Sequence, residues 1–98
     1  MNNINSSKKP VVLVIAGHDP SGGAGIQADI ESIAQAGCHA ASVITSLTAQ
    51  NTCKVANVVP QSPGFVQQQL QLVCEDMEIA ACKIGLLGSE AIIDTVAE

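Results

Sequence analysis

The residues best suited to chemistry are crowded into Ala16-Gly17-His18-Asp19-Pro20-Ser21-Gly22-Gly23-Ala24-Gly25. Four glycines fall within nine positions, so the backbone here can adopt positive φ and approach a ligand closely. Gly23 and Gly25 are the two expected to permit that approach. Asp19, Pro20 and Ser21 bring turn chemistry. The apolar run Val11-Val12-Leu13-Val14-Ile15 precedes the stretch and an amphipathic pattern, Ile26-Gln27-Ala28-Asp29-Ile30, follows it. The order therefore reads strand, glycine turn, helix, and the helix start offers unpaired N–H groups. Two phosphate motifs fail. Gly17 and Gly22 have P-loop spacing, but Gly23-Ala24 stand where Lys-Ser/Thr is required. The glycines do not run G-x-G-x-x-G, and no acid lies near Thr45 to complete a dinucleotide fingerprint. A ligand-binding turn and a simple tight connector both fit this spacing.

Other side chains have comparable interest. Gln50 carries an amide that both donates and accepts, which suits a ring nitrogen beside an exocyclic amine; solvent exposure in a loop is the other reading. Asp29 lies one residue off the apolar stripe of the helix. It can serve the N-terminal dipole or point into the glycine turn. Lys83 is unusual within Ile79-Ala80-Ala81-Cys82-Lys83-Ile84, where it either pairs with a buried carboxylate or snorkels to the edge. Cys38, Cys53, Cys74 and Cys82 have no C-x-x-C spacing, so a zinc or redox site is not indicated. They read as small buried apolar residues of a reducing compartment.

The elements that must position these groups alternate. Residues 11–16 form a strand covered on both faces, as in a parallel sheet. A helix follows, with Ile26, Ile30, Ile33 and Ala34 on its inner face and Gly37 as its stop. A second strand runs from His39 to Leu47, with Thr48-Ala49-Gln50-Asn51-Thr52 as a polar turn at its end. A short strand covers residues 53–59. Ser62 caps a helix that has Pro63 at its first position. Val66, Leu70, Val73 and Cys74 face inward, Gln67, Gln68, Gln69 and Gln71 face water, and Glu75-Asp76 belong to the exit loop. A buried strand at 79–84 ends at a third turn, and Ser89 caps a last helix. This alternation predicts an α/β layered fold, with the glycine turn and the Gln50 segment on one sheet edge.

Composition narrows the function. The 98 residues are 47% hydrophobic and 13% charged, a globular balance sufficient for one small domain. A net charge of −5, four Lys and Arg, and the single aromatic Phe65 lack the basic footprint and stacking surface of a nucleic-acid binder. No apolar run reaches membrane-helix length, and the polar opening residues do not read as a signal peptide.

The glycine stretch, continued as Ile26-Gln27-Ala28-Asp29, closely resembles the opening motif of the hydroxymethylpyrimidine/phosphomethylpyrimidine kinase family. The likeness continues through Ser42-Val43-Ile44-Thr45, Ala49-Gln50-Asn51-Thr52 and Lys83-Ile84-Gly85-Leu86-Leu87, and covers nearly everything from Val11 to Glu98. It implies a ribokinase-like three-layer α/β/α sandwich. Residues 10–98 would be the N-terminal part of one kinase domain, and 1–9 a flexible N-terminus. It implies phosphorylation of 4-amino-5-hydroxymethyl-2-methylpyrimidine and then of its monophosphate, in thiamine biosynthesis, with ATP and Mg²⁺. A cytoplasmic setting and a homodimer of the complete enzyme are implied too. By the same resemblance Gln50 binds the pyrimidine, Gly17, Ala24 and Asp29 line the pocket near the hydroxymethyl group, and Thr48 and Leu86 flank the ring. Leu86 stands where the family often has Met, a volume-conserving change. His18 sits where the family varies and is assigned no catalytic role. The family's glycine-rich anion hole, catalytic base and most of its ATP site lie past Glu98. No catalytic or metal-binding residue is therefore assigned in this chain, and residues 1–98 alone are expected not to phosphorylate the pyrimidine. A non-catalytic pyrimidine-binding or subunit-contact remnant, and a pyridoxal kinase, are the alternatives.

Overall fold

A computed structural model describes residues 9–85. Leu86 and the helix expected after Ser89 lie outside the described residues, as does nearly all of the expected flexible N-terminus.

The elements are β1 (Val11–His18), α1 (Gly25–Gln35), β2 (His39–Gln50), β3 (Val55–Pro60), α2 (Pro63–Asp76) and β4 (Ile79–Ile84). They form a four-stranded sheet in the order β3-β2-β1-β4. β1 is parallel to both β2 and β4, and β3 returns antiparallel along β2. β1 is apolar from Val11 to Ala16 because it is covered on both faces. Val11, Leu13 and Ile15 meet Ala41, Val43 and Val66, with Leu70 and Val73 of α2 packed alongside. Val14 and Ala16 point the other way, onto Ile26 of α1, with Ile33 and Ile44 beside them. The result is the expected α/β/α layering. Val14, Val43 and Val66 are fully buried, each contributing about 1.5–3 kcal/mol by its removal from water.

Helix boundaries follow local chemistry. The end of α1 is a Schellman arrangement: Gly37, at φ +83°, donates to the Ala34 carbonyl, and Cys38 donates to that of Ile33. Ser62 Oγ accepts the Phe65 N–H at 3.2 Å, with Pro63 opening α2 as its spacing requires.

Several expectations are corrected. The polar segment expected as a turn at Thr48 is strand as far as Gln50, because β3 folds back and pairs with it. The turn itself is Asn51 to Lys54, closed by Asn51 Oδ1, which accepts the N–H groups of Cys53 and Lys54. Glu75 and Asp76 belong to α2, not to a loop. The inner face of α1 is Ile26, Asp29 and Ile33, while Ile30 and Ala34 are exposed. β4 is exposed from Ala80 to Ile84, where burial was expected. Among the described residues it pairs with β1 alone, and the main helix contacts fall on β1 and β2. Three cysteines, Cys53, Cys74 and Cys82, are exposed as well: Cys53 lies on the β2–β3 turn, Cys74 near the end of α2 and Cys82 on this edge strand.

Gln69 does not face water. Its amide nitrogen donates to the Ile44 carbonyl at 3.1 Å, and its amide oxygen accepts the Ile44 N–H at 3.2 Å. Ile44 lies just before the β2 residues paired by β3, whose first partner is Ser46. The side chain thus replaces a neighbouring strand where β3 has ended. Gln69→Ala leaves both backbone groups unpaired and should destabilise the chain by about 1–3 kcal/mol. Gln69→Glu, which keeps an acceptor but loses the donor, should also destabilise. Urea denaturation checks this; an unchanged midpoint for Gln69→Ala would contradict it.

Candidate functional site

Parallel pairing brings the carboxyl ends of β1, β2 and β4 to one edge of the sheet. There they border a cleft of about 370 Å³. Its walls come from four places: Gly17 and His18 at the end of β1, Ala24, Gly25 and Asp29 around the start of α1, Ser46, Thr48 and Gln50 on β2, and Lys83 on β4. Val55 and Val58 of β3 add an apolar wall.

The glycine turn is held by Asp19, which is buried. Its Oδ1 accepts the Ser21 N–H at 2.9 Å and the Ser21 hydroxyl at 2.7 Å, while Oδ2 accepts the Ala24 N–H at 3.0 Å. The Ser21 hydroxyl first, and its N–H second, hold the Asp19 carboxyl below the usual carboxylate range, against the opposing pull of burial. Ala24, the N-cap of α1, has no side chain to cap with, so Asp19 reaches across the turn to meet its N–H.

Gly25 has φ +67°, and a Cβ there would stand 2.5 Å from the Gly17 carbonyl oxygen. The chain's own backbone therefore requires glycine here, at a position that also lines the cleft. Gly23 has no left-handed φ, and its nearest neighbour would be the Ser21 hydroxyl at 3.6 Å. It is an ordinary turn residue, contrary to the expectation from spacing.

On β2, strand alternation carries Ser46, Thr48 and Gln50 to the cleft side. Thr48 Oγ1 donates to the His18 carbonyl at 2.8 Å and accepts from Gln50 Nε2 at 2.7 Å. Because the Thr48 hydroxyl proton is committed to His18, its oxygen can only accept. That fixes the Gln50 amide with nitrogen toward Thr48. One Nε2 hydrogen and Oε1 remain without a partner among the described residues.

At the far side of β1, Lys83 Nζ forms an ion pair with Asp29 Oδ1. Lys83 lies opposite Val14 in register, on the face that α1 covers. Asp29, on the inner face of α1, is therefore buried against a cation. Its Oδ2 makes no hydrogen bond among the described residues.

The family model for phosphomethylpyrimidine kinase matches residues 19–98. The chain belongs to this family. It is 51% identical over 86 residues to hydroxymethylpyrimidine/phosphomethylpyrimidine kinase of Salmonella typhimurium, an overlap of 88% of this chain and 32% of that one. It superposes on the crystal structure of phosphomethylpyrimidine kinase from Clostridium difficile with a TM-score of 0.86 and 43% identity, covering 90% of this chain and 38% of that one. An ADP complex of Bacillus subtilis pyridoxal kinase also matches, at a TM-score of 0.83 and 29% identity, over 91% of this chain and 34% of that one. The chain thus spans about a third of the length of these relatives.

Against this family membership, the structure brings Gly17, Ala24, Asp29, Thr48 and Gln50 together around one cleft, while Leu86 lies outside the described residues. Ser46 and the pairing of Lys83 with Asp29 were not assigned to the site from sequence. Ser46 was legible in the alternation Ser46-Leu47-Thr48-Ala49-Gln50, polar at every second residue.

Two outcomes follow from the turn. Gly25→Ala should destabilise by more than about 1 kcal/mol through left-handed strain and contact with the Gly17 carbonyl, whereas Gly23→Ala should be close to neutral by thermal melting. Asp19 titrates lower folded than unfolded. Its stabilising contribution is whole above about pH 4 and is lost as pH falls further, through the lower folded value. The stability gap between wild type and Asp19→Asn should therefore shrink on acidification, and a gap independent of pH in urea titrations would refute the role given to Asp19.

Proposed function

We propose that this chain carries the substrate-binding part of a kinase that phosphorylates 4-amino-5-hydroxymethyl-2-methylpyrimidine and then its monophosphate, in thiamine biosynthesis. Residues 10–98 are, in this reading, the N-terminal part of one kinase domain. The observation that carries it is the fixed amide of Gln50. A free N–H beside a free carbonyl oxygen matches a ring nitrogen next to an exocyclic amine, donor to acceptor and acceptor to donor. Val55 and Val58 offer apolar contact for the ring. Asp29 Oδ2 can accept the hydrogen of the hydroxymethyl group.

The name of the Salmonella relative covers both substrates, and the ADP complex of a structural neighbour supports ATP as the phosphoryl donor. Phosphoryl transfer rests on positioning and on charge stabilisation around the phosphate. Among the described residues no cluster of three His, Cys, Asp or Glu side chains could hold a metal ion. Mg²⁺ is usually held by one or two carboxylates together with substrate phosphates rather than by such a cluster, and it belongs to the proposal as the ion that would accompany ATP. A cytoplasmic setting is part of the proposal, supported by free cysteines of which three are exposed. So is a homodimer, supported by the exposed Leu47 and Val59 along β2 and β3.

Calorimetry with the aminopyrimidine alcohol tests this reading. Gln50→Ala should cost about 1–3 kcal/mol of binding, because polar groups of the ligand are left unpaired. Thr48→Val releases the amide to rotate and should cost about 1 kcal/mol. Pyridoxal, which lacks the amine beside a ring nitrogen, should bind more weakly than the alcohol. Unchanged affinity in Gln50→Ala, or tighter binding of pyridoxal, would overturn the assignment.

A further inference from the structure

Resting on that reading, we propose that Lys83 is the group that lets one site take both the neutral alcohol and its phosphate, by offering the spare hydrogens of its Asp29-bound ammonium to the phosphate of the second substrate. Gln50 is on β2 and Lys83 on β4, with β1 between them. Both line the same cleft, with Asp29 paired to Lys83. In this reading a ring held at Gln50 directs its arm across the cleft toward Asp29 and Lys83.

The two residues of the pair are unequally placed. The Asp29 side chain is 11% exposed and the Lys83 side chain 58%. The carboxylate is built into the wall, while the lysine is the exposed member of the pair, on a flexible stem. An ammonium has three donor hydrogens, and Asp29 takes one.

With the alcohol, the hydroxyl hydrogen goes to the open oxygen of Asp29, and Lys83 stays on the other. After one phosphorylation the arm ends in a phosphate dianion with no such hydrogen, and it faces a carboxylate of like charge. The other carboxylate lining the cleft, Asp19, spends both oxygens on the turn. His18 and Lys83 are the side chains lining the cleft that can carry positive charge. Of these, Lys83 already touches Asp29, so its spare hydrogens are where the phosphate must sit, and the ammonium then bridges phosphate and carboxylate.

The test compares affinities for the alcohol and for its monophosphate, by calorimetry on wild type, Lys83→Met, Lys83→Arg, Asp29→Asn, and Asp29→Asn combined with Lys83→Met. Lys83→Met should lower the ratio of monophosphate to alcohol affinity by about tenfold or more, and Lys83→Arg should retain most of the ratio. The steeper salt dependence of monophosphate binding should disappear with the lysine. The same fall in ratio is expected between Asp29→Asn and the double variant. These two carry no unpaired buried carboxylate, so they also serve if Lys83→Met alone does not fold. A ratio that falls only when Asp29 is present would show that Lys83 merely neutralises Asp29, and would overturn the proposal. Equal weakening of both ligands would overturn it too. Failure of wild type to bind the alcohol would instead overturn the functional reading on which the proposal rests.

Discussion

Parallel pairing on both sides of β1 is the constraint from which the site follows. A strand paired in parallel on either side delivers three carboxyl ends to the same edge. The glycine turn, the end of β2 and the end of β4 meet there because the chain runs in one direction through all three. β3 is the exception. Its antiparallel return extends β2 to Gln50 and adds the apolar residues Val55 and Val58 to the cleft. Such an edge is where open α/β sheets bind ligands.

Polar residues in this edge are organised by one another. Asp19 ties Ser21 and Ala24 together and starts α1 without a capping side chain. Thr48 links the His18 carbonyl to Gln50 and so decides which way the amide points. Asp29 is tolerated on the inner face of a helix because Lys83 faces it from the sheet. In each case a buried or half-buried polar group has a partner distant in sequence or across a tight turn. Among the described residues, Gln50 and Asp29 both keep open hydrogen-bonding groups in the cleft.

The helices on the two faces make this arrangement possible. α1 and α2 cover opposite sides of β1 and β2, so β1 can be apolar from Val11 to Ala16, with the glycine turn following at its end. Gln69 marks where this division needs help, since α2 must lend a side chain to β2 beyond the reach of β3.

Much was determined by the sequence alone. The run of β-branched residues at 11–15, the glycine turn and the Ser62-Pro63 cap follow local rules of strand, turn and helix, which act over a few residues and are written in the order of side chains. The amide of Gln50 fitted either a recognition group or a solvent-exposed loop residue, and only the resemblance of the motif around it pointed to the first. Tertiary structure decided the rest. Pairing with β3, and not local propensity, made Thr48 and Gln50 strand residues, so their side chains share a face. The exposure of the cysteines and of β4 depends on which surfaces the helices reach, and that is a matter of packing. Above all, Asp29 and Lys83 lie on different elements 54 positions apart. Lys83 looked unusual in its apolar strand and Asp29 lay one residue off the apolar stripe of its helix, and only the fold, by laying α1 across the face of β4's neighbour, made each the reason the other is there.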